Sequence, residues 1–283
     1  MSTIPVALQA DFAACQALAS THYENFSVLS MFIPRALRPH FAAIYAYCRG
    51  VDDIGDEFEG DRLKALDEWA HQLTLCYTGT PETPEFRALQ HTIRQFDLPR
   101  QPFDDLIEAN RRDQHQSTYD TWEDLLDYCR YSANPVGRMV LGLFGYQDEY
   151  RQTLSDCTCT ALQIANHLQD ISRDVVRGRY YVPIEDLERF GSSLAEYRTG
   201  VITEAIRACI RHEVERTWEL FRRGADLEPT VPKRLRMQLR LYRYGGEAVL
   251  RALEQQNYDS LSHRPVVSTG KKVRIACKTL FKP

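Results

Sequence analysis

The chain has 283 residues, enough for one large domain or two with a sizeable core. With 43% apolar and 26% charged residues it is neither disordered nor fibrous, and its formal charge of −4 argues against general nucleic-acid binding. No apolar run approaches the length of a membrane span and no basic-then-apolar leader opens the chain, so a cytoplasmic protein is expected.

In chain order, a short helix is predicted around Asp11, followed by an irregular link through His22 to Phe26 and a long helix that starts near Pro39. Further helices are expected over Leu63–Tyr77, Phe86–Phe96 and Pro102–Asp113. Thr121-Trp-Glu-Asp124 has the form of a capping box, opening a helix through Tyr128 and Tyr131. Asn134-Pro135 interrupts that helix, which resumes through Val136 to Phe144. A second long helix follows Gly145 and runs to about Asp174. After Pro183 come a short helix to Gly191, a long one from Thr203 to about Ala225, and a last one from Val231 to Glu254. Strand alternation is nearly absent, which predicts an all-α bundle of roughly ten helices around a central cavity. The eight cysteines show no CxxC pair and no zinc spacing, so packed, reduced thiols are expected. The bundle is assigned to residues 1–262. Residues 263–283 form a basic, partly apolar tail, with Arg264, Lys271, Lys272 and Arg274 among its charges. Such a tail suits either contact with an anionic membrane or packing back on the bundle.

Two acidic faces organise the chain. Asn166, Asp170 and Asp174 recur every fourth residue in NHLQDISRDVVRGRYYVP, which aligns three oxygen donors on one helix face. Far upstream, YAYCRGVDDIGDE places Tyr45, Arg49, Asp52 and Asp56 on roughly one face, with Asp53 and Glu57 on the neighbouring stripe as solvated charges. This cluster grows out of an apolar run, where several carboxylates repel one another unless a cation offsets them. Two such faces opposed across a cavity would suit Mg²⁺ and, through it, a diphosphate.

These paired motifs resemble the squalene and phytoene synthase family, over nearly the whole chain from His22 to the last helix. The resemblance implies the all-helical isoprenoid synthase fold and a prenyl diphosphate substrate. It also implies Mg²⁺ held by Asp52, Asp56, Asn166, Asp170 and Asp174, and catalytic roles for these five together with Tyr45, Arg49 and Gln163. Arg179 and Tyr181 match residues that follow the second motif, Tyr128 and Val136 a cavity wall, and His22 a histidine near the diphosphate. Phe26 and Leu141 are further candidates for the apolar lining. Tyr23-Glu-Asn-Phe26, Glu108-Ala-Asn-Arg-Arg-Asp113 and Ser132-Ala-Asn-Pro-Val-Gly137 look like the bacterial hydroxysqualene synthases of squalene and hopanoid formation. These convert presqualene diphosphate and water to hydroxysqualene and diphosphate, between a presqualene diphosphate synthase and a squalene-forming reductase. Glu24, where condensing relatives often carry lysine, fits a site for one diphosphate only. The alternatives are a condensing synthase that makes presqualene diphosphate, phytoene or dehydrosqualene, and a non-catalytic assembly factor on the same fold. The retained carboxylates weigh against the last. Asp113 is read as a helix-end charge, and Gln163 and Asn134 as amides able to hold a quenching water.

Overall fold

Apolar positions at helical spacing face inward along almost every segment, and the computed structural model resolves them into helices with no strand among the described residues. The structure describes residues 4–21 and 32–268, together with Gly270, Lys271, Arg274, Ile275 and Thr279. The helices are α1 (Gln9–Thr21), α2 (Arg38–Asp56), α3 (Arg62–Thr78), α4 (Pro84–Phe96), α5 (Gln101–Arg112) and α6 (Trp122–Ser132). After them come α7 (Asn134–Leu143), α8 (Glu149–Asp174), α9 (Ile184–Arg189), α10 (Leu194–Tyr197), α11 (Glu204–Gly224) and α12 (Lys233–Gln255). They form one all-α domain with the isoprenoid synthase bundle fold.

Local chemistry fixes the helix ends. Proline stands in the first turn of α2, where its missing N–H costs nothing. Asp61 caps α3 by accepting from the Lys64 amide, and Asp148 caps α8 by accepting from the Arg151 amide. Thr121 and Asp124 form the expected capping box on α6. The expected break at Asn134-Pro135 falls between α6 and α7, at Ala133. Short elements escape the periodicity. They are α10, the 3₁₀ turns Val6–Leu8 and Arg35–Leu37, and a 3₁₀ segment, Ala225–Thr230, that joins α11 to α12.

Each acidic helix rests on its own core. Under α2, Phe41, Ile44, Tyr47 and Val51 pack with residues of α3, α4 and α5. Under α8, Ile164, Leu168 and Ile171 pack with Tyr128 of α6 and with Val214 and Phe221 of α11. Burying each such side chain contributes roughly 1.5–3 kcal/mol before conformational entropy is subtracted. The two cores hold the acidic ends of α2 and α8 against one another, with α5 and α6 as the walls between them.

Candidate active site

The acidic end of α2 owes its position to Gly55. A Cβ there would lie 2.0 Å from the Asn110 side-chain oxygen, so only glycine lets α5 approach this closely. The approach brings the Asn110 amide to 3.5 Å from an Asp52 oxygen, a long contact on the wall of the cleft. On α8, Ile164, Leu168 and Ile171 take the core side, while Gln163, Asn166, His167, Asp170 and Asp174 turn to the cleft. The chain then reverses at Gly178, whose φ of 72° suits glycine. That turn lets the Arg179 amide donate to the Asp174 carbonyl at 2.9 Å. The Arg179 guanidinium donates to Asp56 at 2.6 Å, tying the two acidic helices together. Tyr181 stacks on the His167 ring with centroids 3.6 Å apart.

The result is a polar cleft of about 330 Å³. Asp52, Asp56, Tyr128, Gln163, Asn166, Asp170, Asp174, Arg179 and Tyr181 all line it, so residues remote in sequence meet at one place. Beside it lies a smaller apolar cavity of about 190 Å³, lined by Tyr45 and Val136 with Phe41, Ile44, Leu162 and Tyr242. Tyr45 and Cys48 line this cavity from α2 and Asp52 lines the cleft one turn further on. Leu162 and Gln163 make the same division on α8.

Two expected site residues, Arg49 as a catalytic group and Leu141 as apolar lining, lie elsewhere. Arg49 does not line the cleft. It sits on the neighbouring stripe of α2, bridged to Asp53 at 2.5 Å and to Glu57 at 3.2 Å. Leu141 is fully buried on the other side of α7, packed against Leu227, Val231 and Leu235, and lines neither cavity. Asn134 is also spent, because its side-chain oxygen accepts from the Thr160 hydroxyl at 2.9 Å. His22, Glu24 and Phe26 lie outside the described residues.

The cleft is short of positive charge. Burial, with Asp56 and Asp53 adding repulsion, pushes the Asp52 carboxyl up to about 7 against the pull of the Asn110 hydrogen bond, although the side chain faces the open cleft. Burial, reinforced by Asp170, raises Asp174 to about 6. Burial likewise raises Asp113 to about 6, outweighing the pull of Arg179 and of the Tyr128 hydroxyl, which donates to it at 3.2 Å. The His167 ring is lowered to about 3 by burial and is neutral in the working range.

Asp113 is therefore a member of the cleft. Asn110 and Asp113, one turn apart in the Glu108–Asp113 stretch, carried the signal. Arg264 carried none. It reaches back from the tail to hold both Asp170 oxygens, with Nη2 donating at 3.2 Å, while the adjacent Pro265 carbonyl accepts from Gln169 at 2.7 Å. The donor set is hard oxygen throughout. Among the described residues no three carboxylate, imidazole or thiol groups converge into a ready cage. The set fits a cation that takes a few carboxylates and completes its shell with water and phosphate oxygens, as Mg²⁺ does.

A squalene/phytoene synthase family model matches residues 19–271. The chain belongs to the squalene/phytoene synthase family. Within it, the chain is 32% identical to a hydroxysqualene synthase of Zymomonas mobilis over 252 residues, 85% of this chain and 82% of that one. It is 30% identical to a 15-cis-phytoene synthase of Synechococcus elongatus over 280 residues, 93% of this chain and 90% of that one. The crystal structure of squalene synthase HpnC from Alicyclobacillus acidocaldarius superposes with a TM-score of 0.89 at 58% identity. The match covers 90% of this chain and 97% of that one. A dehydrosqualene synthase crystallised with a ligand shares the fold, with a TM-score of 0.88 at 24% identity.

Proposed function

We propose that this family member is a hydroxysqualene synthase, converting presqualene diphosphate and water to hydroxysqualene and diphosphate. The observation that carries the reading is the adjoining pair of cavities. A polar cleft is lined from two helices by Asp52, Asp56, Asn166, Asp170 and Asp174, and the same two helices line an apolar chamber about a turn away. Those five residues would hold Mg²⁺, which when bound supplies Lewis-acid pull on the diphosphate oxygens. Arg179, whose guanidinium is held firmly protonated, adds fixed positive charge beside the departing group. Burial lowers the arginine, but the neighbouring carboxylates and Tyr181 more than restore it.

The carbon–oxygen bond breaks with its electron pair going to the diphosphate. The cation left behind needs π-faces, which Phe41, Tyr45 and Tyr242 supply. One water then forms the new carbon–oxygen bond and its second proton is released to solvent or to the freed diphosphate. Gln163 lines the cleft, next in sequence to Leu162 of the chamber, and is the amide we assign to orienting that water.

The second reading is a condensing synthase that joins two prenyl diphosphates, favoured by phytoene synthase relatives at similar identity. Incubating purified protein and Mg²⁺ with presqualene diphosphate in ¹⁸O-water should give an alcohol carrying one ¹⁸O. Consumption of farnesyl diphosphate alone, with no turnover of presqualene diphosphate, would select the condensing synthase. Unchanged squalene formation in cells carrying Asp170→Ala would instead select a non-catalytic assembly role.

A further inference from the structure

The helix that ends in the carboxylates begins in a basic groove. Arg35, in the 3₁₀ turn just before α2, and Arg38, its first residue, face Lys233 and Arg234 at the start of α12, with Phe32 and Met237 between them. The groove encloses about 700 Å³ and no acidic residue lines it among the described residues. All four basic side chains are exposed, and none makes an ion pair among the described residues. The Phe32 amide donates to Gln238 at 3.1 Å, fixing the two helix starts side by side.

Both helices lead from the groove to the apolar chamber, and α2 continues to the cleft. Along α2, the basic groove at Arg38 is followed one turn later by Phe41, Ile44 and Tyr45 of the apolar chamber, and then by Asp52 and Asp56 of the cleft. At 1.5 Å per residue, Arg38 and Asp52 stand roughly 21 Å apart along the axis. Along α12, Lys233, Arg234 and Met237 border the groove, and Leu239 and Tyr242 border the chamber. The molecule is thus polarised, with a basic end, an apolar middle and an acidic end.

We propose that the Arg35–Arg38–Lys233–Arg234 face docks on an anionic bilayer, so that the apolar chamber abuts the membrane and the carboxylate cleft faces water. The occupant follows from charge and polarity. A surface that is basic at its rim and apolar between its charges complements anionic headgroups over acyl chains. The net charge of −4 gives the chain as a whole no attraction to such a surface, so binding must come from this patch. The four basic side chains at the other end from the cleft set the orientation. The choice of a lipid surface rests on the proposed reaction, whose organic product belongs in a bilayer while its diphosphate belongs in water. Vesicle binding is read without turnover, so the two proposals fail separately.

The test is co-sedimentation of the full chain with vesicles of phosphatidylcholine, with and without one-third phosphatidylglycerol. Binding should require the anionic lipid and fall steeply with added salt. Arg35→Gln combined with Arg234→Gln should weaken it roughly 30-fold, since each basic residue at such a surface is worth about fivefold. Lys64→Gln with Arg94→Gln, an equal change of charge at exposed positions outside the groove, should leave it unchanged. Thermal unfolding of both double variants verifies that they are folded. Equal loss in the two, or no preference for anionic vesicles, overturns the proposal. So does loss that follows only removal of residues 263–283. A dimer that dissociates when the groove is neutralised, without vesicle binding, would assign the face to a second copy and overturn it as well.

Discussion

Asp170 illustrates how much of this site is arranged around missing positive charge. Arg264 holds both its oxygens, and Arg173 lies 3.6 Å away from one turn further along α8. Across the cleft Arg179 donates to one oxygen of Asp56. Replacing Asp170 with Ala should reduce kcat/KM by roughly 10²–10³-fold, the scale of a lost transition-state electrostatic contact, with little change in the unfolding midpoint. Steady-state kinetics on presqualene diphosphate would measure it, and a loss of less than tenfold would contradict the role assigned to that carboxylate. The acidic ladders were legible in the sequence because i, i+4 spacing survives any tertiary arrangement. Arg264 was not, because its partner lies 94 residues away and only packing decides the pairing. Arg49 misled for a related reason. Its spacing to Asp52 is helical, but its spacing to Asp53 is better, and the side chain took the nearer carboxylate.

A second residue makes a pH prediction. Glu213 is buried on α11 between Arg216 and Asp186, and burial raises its carboxyl from the ordinary 4.5 to about 8, with Asp186 adding to the rise and Arg216 opposing it. Between those two values the folded chain keeps a proton that the unfolded chain has released. Stability from this group is therefore fully present below about 4.5 and is lost as pH rises towards 8. Urea unfolding of the wild type should show a falling midpoint from pH 5 to 8, and Glu213→Gln should flatten that fall. A midpoint that rises over the same range, relative to the variant, would contradict the assignment.

At the scale of elements, two of the glycines at close helix contacts face groups that line the cavities. A Cβ at Gly224, the last residue of α11, would meet the Thr158 hydroxyl at 2.1 Å and its backbone nitrogen at 3.0 Å. A Cβ at Gly55 would meet Asn110, which lines the cleft beside Asp52. Gly224→Ala and Gly55→Ala should each cost about 1–3 kcal/mol by overpacking. Both should also change KM, because Asn110 lines the cleft and Thr158 lines the apolar chamber. Chemical denaturation alongside kinetics measures both effects, and an unchanged KM in Gly55→Ala would contradict the place of Asn110 at the substrate cleft. Helix positions were readable because apolar periodicity and caps are local properties, as Thr121–Asp124 shows. The 3₁₀ segment Ala225–Thr230 was not, since Glu228 there is fixed by Arg240 and Arg243 of α12. Leu141 was misassigned because periodicity reports that a residue is buried and not which of two apolar regions it enters.

For the whole molecule, the decisive feature is that the two acidic helices stand on separate cores and face one another across the cleft and the apolar chamber. One core gathers around α2 with α3, α4 and α5, the other around α8 with α6 and α11. Arg179 to Asp56 is the direct side-chain bridge between the two motifs. A ligand that engages both faces would therefore act as a clamp between two packed halves, binding the folded chain and not the unfolded one. Inorganic pyrophosphate with Mg²⁺, each at about 100 times its dissociation constant, should stabilise the fold by roughly 2.7 kcal/mol. For a chain of this size that is an upward shift in Tm of about 4–5 °C. Either component alone should do much less, because Mg²⁺ without phosphate oxygens lacks part of its shell and pyrophosphate without Mg²⁺ meets the carboxylates' repulsion. Asp52→Ala on α2 and Asp170→Ala on α8 should each abolish the joint shift, although they sit on different helices over different cores. Differential scanning calorimetry of the three proteins measures this. A shift that survives Asp52→Ala but not Asp170→Ala would mean that the ligand is held by α8 alone and that the two faces do not act together.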